Sequence, residues 1–217
     1  MEVYTSEREQ IEAIRKWWQA NGMAIVLGLA VGLGGLYGWQ YWQRKQALHA
    51  EIGSIGFQDL ISRAMNGKAD ESQAIGKKLL AEHGDTGYAP LAALTLAKIA
   101  VDEGKPEVAR AHLEWVVANG KVPAVVDVAR LRLARLALSA GKADEAWSLA
   151  GKVSGMDETA ELHEVRGDIM AARNKPREAH AEYARALELA TAQKADAGLL
   201  EIKIDELGVA QDATPAR

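Results

Sequence analysis

Five histidines and no cysteine set the limits of the chemistry open to this chain. His49, His83, His112, His163 and His180 stand far apart. A zinc site needs ligands at short fixed spacing, such as two histidines one helical turn apart in HExxH. His163-Glu164 begins that pattern, but Val165-Arg166-Gly167 follows and no second histidine takes the required place. Without cysteine there is no thiol nucleophile and no zinc knuckle. The glycines of Gly28–Gly35 imitate a dinucleotide fingerprint. That fingerprint works as a turn between a strand and a helix, and no strand run precedes it here. The histidines therefore read as scattered, solvent-facing side chains. The expectation is a protein that is not an enzyme, with no catalytic residue, no metal site and no cofactor.

The elements that must carry the function are of another kind. Trp17 to Gln43 is an unbroken run of 27 uncharged residues between Lys16 and Arg44, and Met23–Trp39 within it reads MAIVLGLAVGLGGLYGW. At ~1.5 Å rise per residue, about 20 residues cross the hydrocarbon core of a bilayer. A cleaved signal would need small residues after its apolar stretch, but Trp39-Gln40-Tyr41-Trp42 stand there. Trp17 and Trp18 at one end and Trp39, Tyr41 and Trp42 at the other suit the two headgroup levels, where amphipathic rings collect. Within the run, Gly28 and Gly32 form a GxxxG pair and Gly35 continues that face. Small residues so spaced let a second membrane helix pack closely. Arg8, Arg15 and Lys16 before the span slightly outweigh Arg44 and Lys45 after it. The positive-inside rule then expects the N-terminus in the cytoplasm and residues 44–217 across the membrane.

The chain divides into an N-terminal cytoplasmic segment (1–16), a transmembrane helix (17–43), a soluble repeat domain (44–207) and a disordered tail (208–217). Residues 44–217 carry a net charge of −3, which excludes a basic nucleic-acid surface. They are rich in helix formers and lack strand runs, so the domain should be all-α. Gly67, Gly84, Gly104, Gly120, Gly141 and Asn174 are expected as left-handed helix ends. Pro106, Pro123 and Pro176 fit first helical turns, as does Pro90 with Thr86 as its N-cap. Three turns align: Asp102-Glu-Gly-Lys-Pro-Glu-Val-Ala109, Ser139-Ala-Gly-Lys-Ala-Asp-Glu-Ala146 and Ala172-Arg-Asn-Lys-Pro-Arg-Glu-Ala179. Their lysines, Lys105, Lys142 and Lys175, are 37 and 33 residues apart.

These units resemble tetratricopeptide repeats. Gly167, Ala179, Tyr183 and Ala186 keep the spacing of that motif's small, small, aromatic and small positions. Ala97 with Ala109, and Ala134 with Ala146, keep the small pair, while Leu113 and Ala150 replace the aromatic. The fold expected is a single transmembrane helix followed by a tetratricopeptide-like solenoid of helical hairpins. Residues 46–83 would add a divergent pair and 195–207 a capping helix. Arg130, Arg135, Glu164 and Asp168 are candidates for the concave face, the usual binding surface of a solenoid.

The opening Met1-Glu-Val-Tyr, the stretch Gln10-Ile-Glu-Ala-Ile-Arg-Lys-Trp-Trp, Asn21-Gly22, the glycine-rich span and the repeats together resemble the YfgM family, ancillary subunits of the bacterial Sec translocon. The resemblance implies an inner-membrane anchor and a periplasmic repeat domain. It also implies contact with SecYEG, and association with PpiD, with periplasmic chaperones such as Skp and SurA, and with exported proteins. The alternative from the same residues is a periplasmic scaffold for envelope or division proteins unconnected with Sec.

Overall fold

In a computed structural model, residues 7–155 and 159–208 are described, the side chains of Glu7 and Arg8 excepted. Met1-Glu-Val-Tyr and the tail beyond Gly208 lie outside the described residues. The described residues form nine helices and no strand: α1 (Glu7–Met65), α2 (Ala69–Glu82), α3 (Tyr88–Asp102), α4 (Pro106–Asn119), α5 (Pro123–Ser139), α6 (Ala143–Ala150), α7 (Ala160–Ala172), α8 (Pro176–Ala192) and α9 (Gly198–Glu206). The chain falls into two compact units, Met1–Glu51 and Ile52–Arg217.

Helix α1 has no break at residues 16 or 43. No proline or glycine stands between Trp39 and Ile52, and Arg44-Lys45-Gln46-Ala47-Leu48 are good helix formers, so the hydrogen-bond ladder continues. The first helix of the first hairpin is thus the end of the same helix that carries the apolar run. The apolar part is long enough to cross a membrane and almost wholly exposed within the chain, unlike the core helix of a soluble protein.

The second unit is four helical hairpins and a final helix. Four buried clusters follow one another along it. Leu60, Leu79 and Ala92 join α1, α2 and α3. Ala97, Leu113 and Leu133 join α3, α4 and α5. Leu131, Ala146 and Val165 join α5, α6 and α7. Met170, Tyr183 and Leu200 join α7, α8 and α9. Each cluster ties one hairpin to the next element, the nearest-neighbour architecture of a solenoid.

The turns within the hairpins share one geometry. Gly67, Gly104 and Gly141 have φ near +70°, and Asn174 has φ +58°. The residue after each donates its N–H five residues back: Lys68 to Arg63, Lys105 to Ala100, Lys142 to Ala137 and Lys175 to Met170. These are Schellman ends, which satisfy carbonyls that the helix leaves open. The same four lysines are the N-caps of α2, α4, α6 and α8, so one residue ends a helix and starts the next. Gly67-Lys68 is therefore a fourth turn, beyond the three that align in sequence.

Three expectations are corrected. Gly120 is extended (φ −66°), and Gly84 does not have positive φ either. Both are short of room instead: a Cβ would lie 2.7 Å from the Leu80 carbonyl oxygen at Gly84, and 2.7 Å from that of Val116 at Gly120. Thr86 is not the N-cap of α3. Gly87 is, because the Thr86 hydroxyl donates back to the His83 carbonyl at 2.7 Å and closes the preceding turn.

Candidate functional site

In the first unit, a Cβ built on Gly28, Gly32 or Gly35 meets nothing within 4 Å, so that face is open. Trp17, Trp18, Trp39, Tyr41 and Trp42 are all exposed. The 21 residue steps from Trp18 to Trp39 span about 32 Å of helix, close to the thickness of a hydrocarbon core. Two local contacts order the rings. Trp18 lies over Gly22, where a Cβ would come within 3.0 Å of its indole. Trp39 and Trp42 face each other with centroids 5.4 Å apart.

In the second unit, Ala97, Ala109, Ala134, Ala146, Gly167, Ala179, Tyr183 and Ala186 are all buried. They lie where the helices of a hairpin meet, and their volumes trade off in a way that only the packing displays. The position in the first helix and the one sixteen residues later in the second form the pairs Leu60/Gly76, Ala97/Leu113, Ala134/Ala150 and Gly167/Tyr183. In the last pair the Tyr183 ring fills the space of a missing Gly167 Cβ, and in the first Leu60 crowds Gly76. The large member has changed helices between the two ends of the solenoid. Interiors are packed too closely for both members to be large. Ser72, fully buried, fills the place that Ala109, Ala146 and Ala179 take in the other hairpins. Its hydroxyl donates to the Lys68 carbonyl at 2.9 Å. Counting four residues on from Lys68 would have found it.

The charged candidates of the first helices are wired together. Arg135 pairs with Glu161 at 2.8 Å and Glu164 at 3.4 Å. Lys203 of α9 reaches Glu164 at 2.7 Å and Asp168 at 2.8 Å. The Tyr183 hydroxyl donates to Asp168 at 2.7 Å. Burial and that bond raise the pKa of Tyr183. Burial works against the Lys203 charge, but the bonds to Asp168 and Glu164 outweigh it and hold the pKa above the usual lysine value. Lys203 also stands 5.5 Å over the Tyr183 ring. These groups clamp α9 to the fourth hairpin. Arg130 pairs with Asp127 at 2.7 Å, and Asp127 is a fully buried carboxylate that accepts the Gly155 and Ser154 N–H groups at 2.8 and 3.3 Å. Sequence reasoning missed Asp127; an acid inside the otherwise apolar stretch Ala124–Ala129 was the available signal.

None of the five histidines is fully exposed. His163 bonds Glu182 at 2.7 Å through Nδ1. All five are of intermediate exposure, so the expected solvent-facing positions hold only in part. His112 of α4 has its pKa lowered by burial and by nearby Lys77. The unfolded chain, with the ordinary value of 6.5, takes up this proton first. The stabilisation is complete above that pH and is lost as pH falls through it towards the folded value. Between about pH 7.5 and about pH 5.5, His112→Gln should therefore lose less thermal stability than the parent. Melting curves of the full chain in detergent check this, and parallel losses would remove His112 as the cause.

A groove lies along the first helices. One cavity, about 460 Å³, is lined by Phe57, Ile61, Leu91, Lys98 and Arg132 among others. A second, about 440 Å³, lies between Val101, Leu136 and Arg135 and shares Lys98 and Arg132 with the first. Both volumes suit a ligand segment. The floor is mostly apolar, and the cations stand where the cavities meet. Among the described residues no group of three potential metal ligands comes together.

The profile of the tetratricopeptide repeat-like domain matches residues 15–209. Three similar proteins are each named an ancillary SecYEG translocon subunit. The one from Escherichia coli (strain K12) is 29% identical over 96% of this chain and 100% of its own length. That from Haemophilus influenzae is 29% identical over 78% and 83%. That from Neisseria gonorrhoeae is 26% identical over 95% and 100%. A solved structure from work on Pseudomonas aeruginosa pilF superposes with a TM-score of 0.59 at 16% identity, covering 73% of this chain and 68% of that one, which is a likeness of fold.

Proposed function

The chain belongs to the tetratricopeptide repeat-like domain family, and from that premise we propose that it is an ancillary subunit of the Sec translocon in the bacterial inner membrane. The observation that carries this reading is the pairing, over nearly the full length of the named relatives, of one exposed apolar helix with a hairpin solenoid. The anchor confines the solenoid to a thin layer beside the membrane. That raises its effective concentration near partners there, so weak contacts suffice. The open face at Gly28, Gly32 and Gly35 takes a partner helix in the bilayer, at SecYEG or at a membrane chaperone such as PpiD. The N-terminus lies in the cytoplasm and the repeats in the periplasm, where they recruit chaperones or contact emerging chains. The protein works by binding, without catalysis.

Copurification from native membranes tests this. SecYEG subunits should come down with the intact chain. Gly28→Leu with Gly32→Leu should cut their yield several-fold while leaving membrane insertion unchanged. Protease added to spheroplasts should digest the repeats. Full protection would reverse the orientation, and complexes free of translocon subunits and exported chains would favour the envelope scaffold.

A further inference from the structure

We propose that the groove along α1, α3 and α5 receives an amphipathic segment of a partner protein that carries an Asp or Glu among apolar residues, and that Arg132 reads the carboxylate. The proposal rests on the reading of the solenoid as an interaction domain. Four charged residues line the two cavities: Lys98, Asp102, Arg132 and Arg135. Three are engaged. Lys98 pairs with Asp102 at 2.6 Å, and Arg135 holds Glu161 and Glu164. Arg132 has no carboxylate within 4 Å among the described residues, and its one hydrogen bond runs from Nη1 to the Leu94 carbonyl at 3.3 Å. It is half-buried, and both cavities share it.

A guanidinium keeps its charge at all relevant pH and presents a planar fork of donors that matches a carboxylate. The apolar walls lower the local dielectric, so a carboxylate arriving there gains more than it would in water. Phe57, Ile61 and Leu91 on one side, and Val101 and Leu136 on the other, offer apolar surface to the flanking side chains. The charge pattern does not fit nucleic acid, which needs rows of cations along a backbone. A single unpaired cation between two apolar basins fits one acid inside an apolar segment.

The test uses the full chain in detergent micelles and a short fluorescent peptide of leucine and serine around one central glutamate, amidated at its C-terminus. Three further arms are the glutamine version of the peptide, the glutamine version with a free C-terminal carboxylate, and the Arg132→Gln and Arg132→Lys variants. The glutamate peptide should bind the parent about tenfold more tightly than the glutamine peptide. Arg132→Gln should erase that difference, and Arg132→Lys should keep part of it, with helical circular dichroism unchanged in both. Equal binding of the two amidated peptides to the parent overturns the proposal. So does an equal loss of both in Arg132→Gln, or no binding at all. If only the free-carboxylate peptide depends on Arg132, the groove takes chain ends and the internal segment is wrong. Copurification of SecYEG with Arg132→Gln is a separate readout: its loss in the parent as well would remove the translocon assignment and leave the groove result standing.

Discussion

Gly167→Ala should destabilise the fourth hairpin by roughly 1–3 kcal/mol, the usual cost of overpacking, although alanine is the better helix former by about 1 kcal/mol. The added Cβ would lie 2.4 Å from two carbons of the Tyr183 ring. The ring cannot retreat cheaply. It is 4% exposed, its hydroxyl is tied to Asp168, and Lys203 covers its face. Gly76→Ala is the control. There the nearest atoms, at 2.7–2.9 Å, are the methyl ends of Leu96 and Leu60, which can rotate aside. Its loss should be smaller. Combining Gly167→Ala with Tyr183→Leu should cost less than the two single changes together, since the smaller side chain vacates the space. Chemical denaturation of the full chain in detergent measures the parent, the three single variants and the double variant. A Gly167→Ala variant as stable as the parent would mean that the hairpin can open without cost.

Asp127→Ala should cost about 3 kcal/mol, because several charge-assisted hydrogen bonds go at once. The carboxylate is the acceptor for two backbone N–H groups at residues 154 and 155 and the counter-ion of Arg130, which also donates to the Lys152 carbonyl at 3.0 Å. Asp127 and Arg130 thus tie the α6–α7 connection to α5. Asp127→Asn keeps one acceptor oxygen but turns an amide N–H₂ towards donors, so it should recover little. Amide exchange at Ser154 and Gly155 should quicken in both variants. A loss below about 1 kcal/mol, with exchange unchanged, would show that water replaces the carboxylate.

Much of the fold can be read from single residues because its signals are local. A glycine or asparagine at a left-handed turn, a proline in a first helical turn and an alanine four residues past a turn lysine each follow from backbone sterics within a few residues. The same locality made Gly84 and Gly120 mislead: both sit at helix ends as turn glycines do, yet what demands glycine there is a neighbouring carbonyl. The apolar run of α1 was equally plain, since crossing a bilayer depends on length and composition. Its merger with the first hairpin was not, because nothing in the run's own chemistry says where a helix that meets no breaker will stop.

What the tertiary structure decided depends on partners distant in sequence. The exchange of bulk between Leu60/Gly76 and Gly167/Tyr183 appears only when facing helices are set together, because either member of a pair can supply the volume. Asp127 looks like an ordinary surface acid until the 152–155 segment folds onto it. Arg130, Arg135, Glu164 and Asp168 look like a free binding face, but their neighbours and Lys203 of α9 engage them. Arg132 stands out only by the carboxylate it lacks. The amino-acid sequence by itself determined a long apolar N-terminal helix and an all-helical repeat, through short-range sterics and hydropathy. Which charges are spent on holding the hairpins together, and which stay unpaired in the groove, was decided by long-range packing, since an ion pair exists only where the fold brings both ends together.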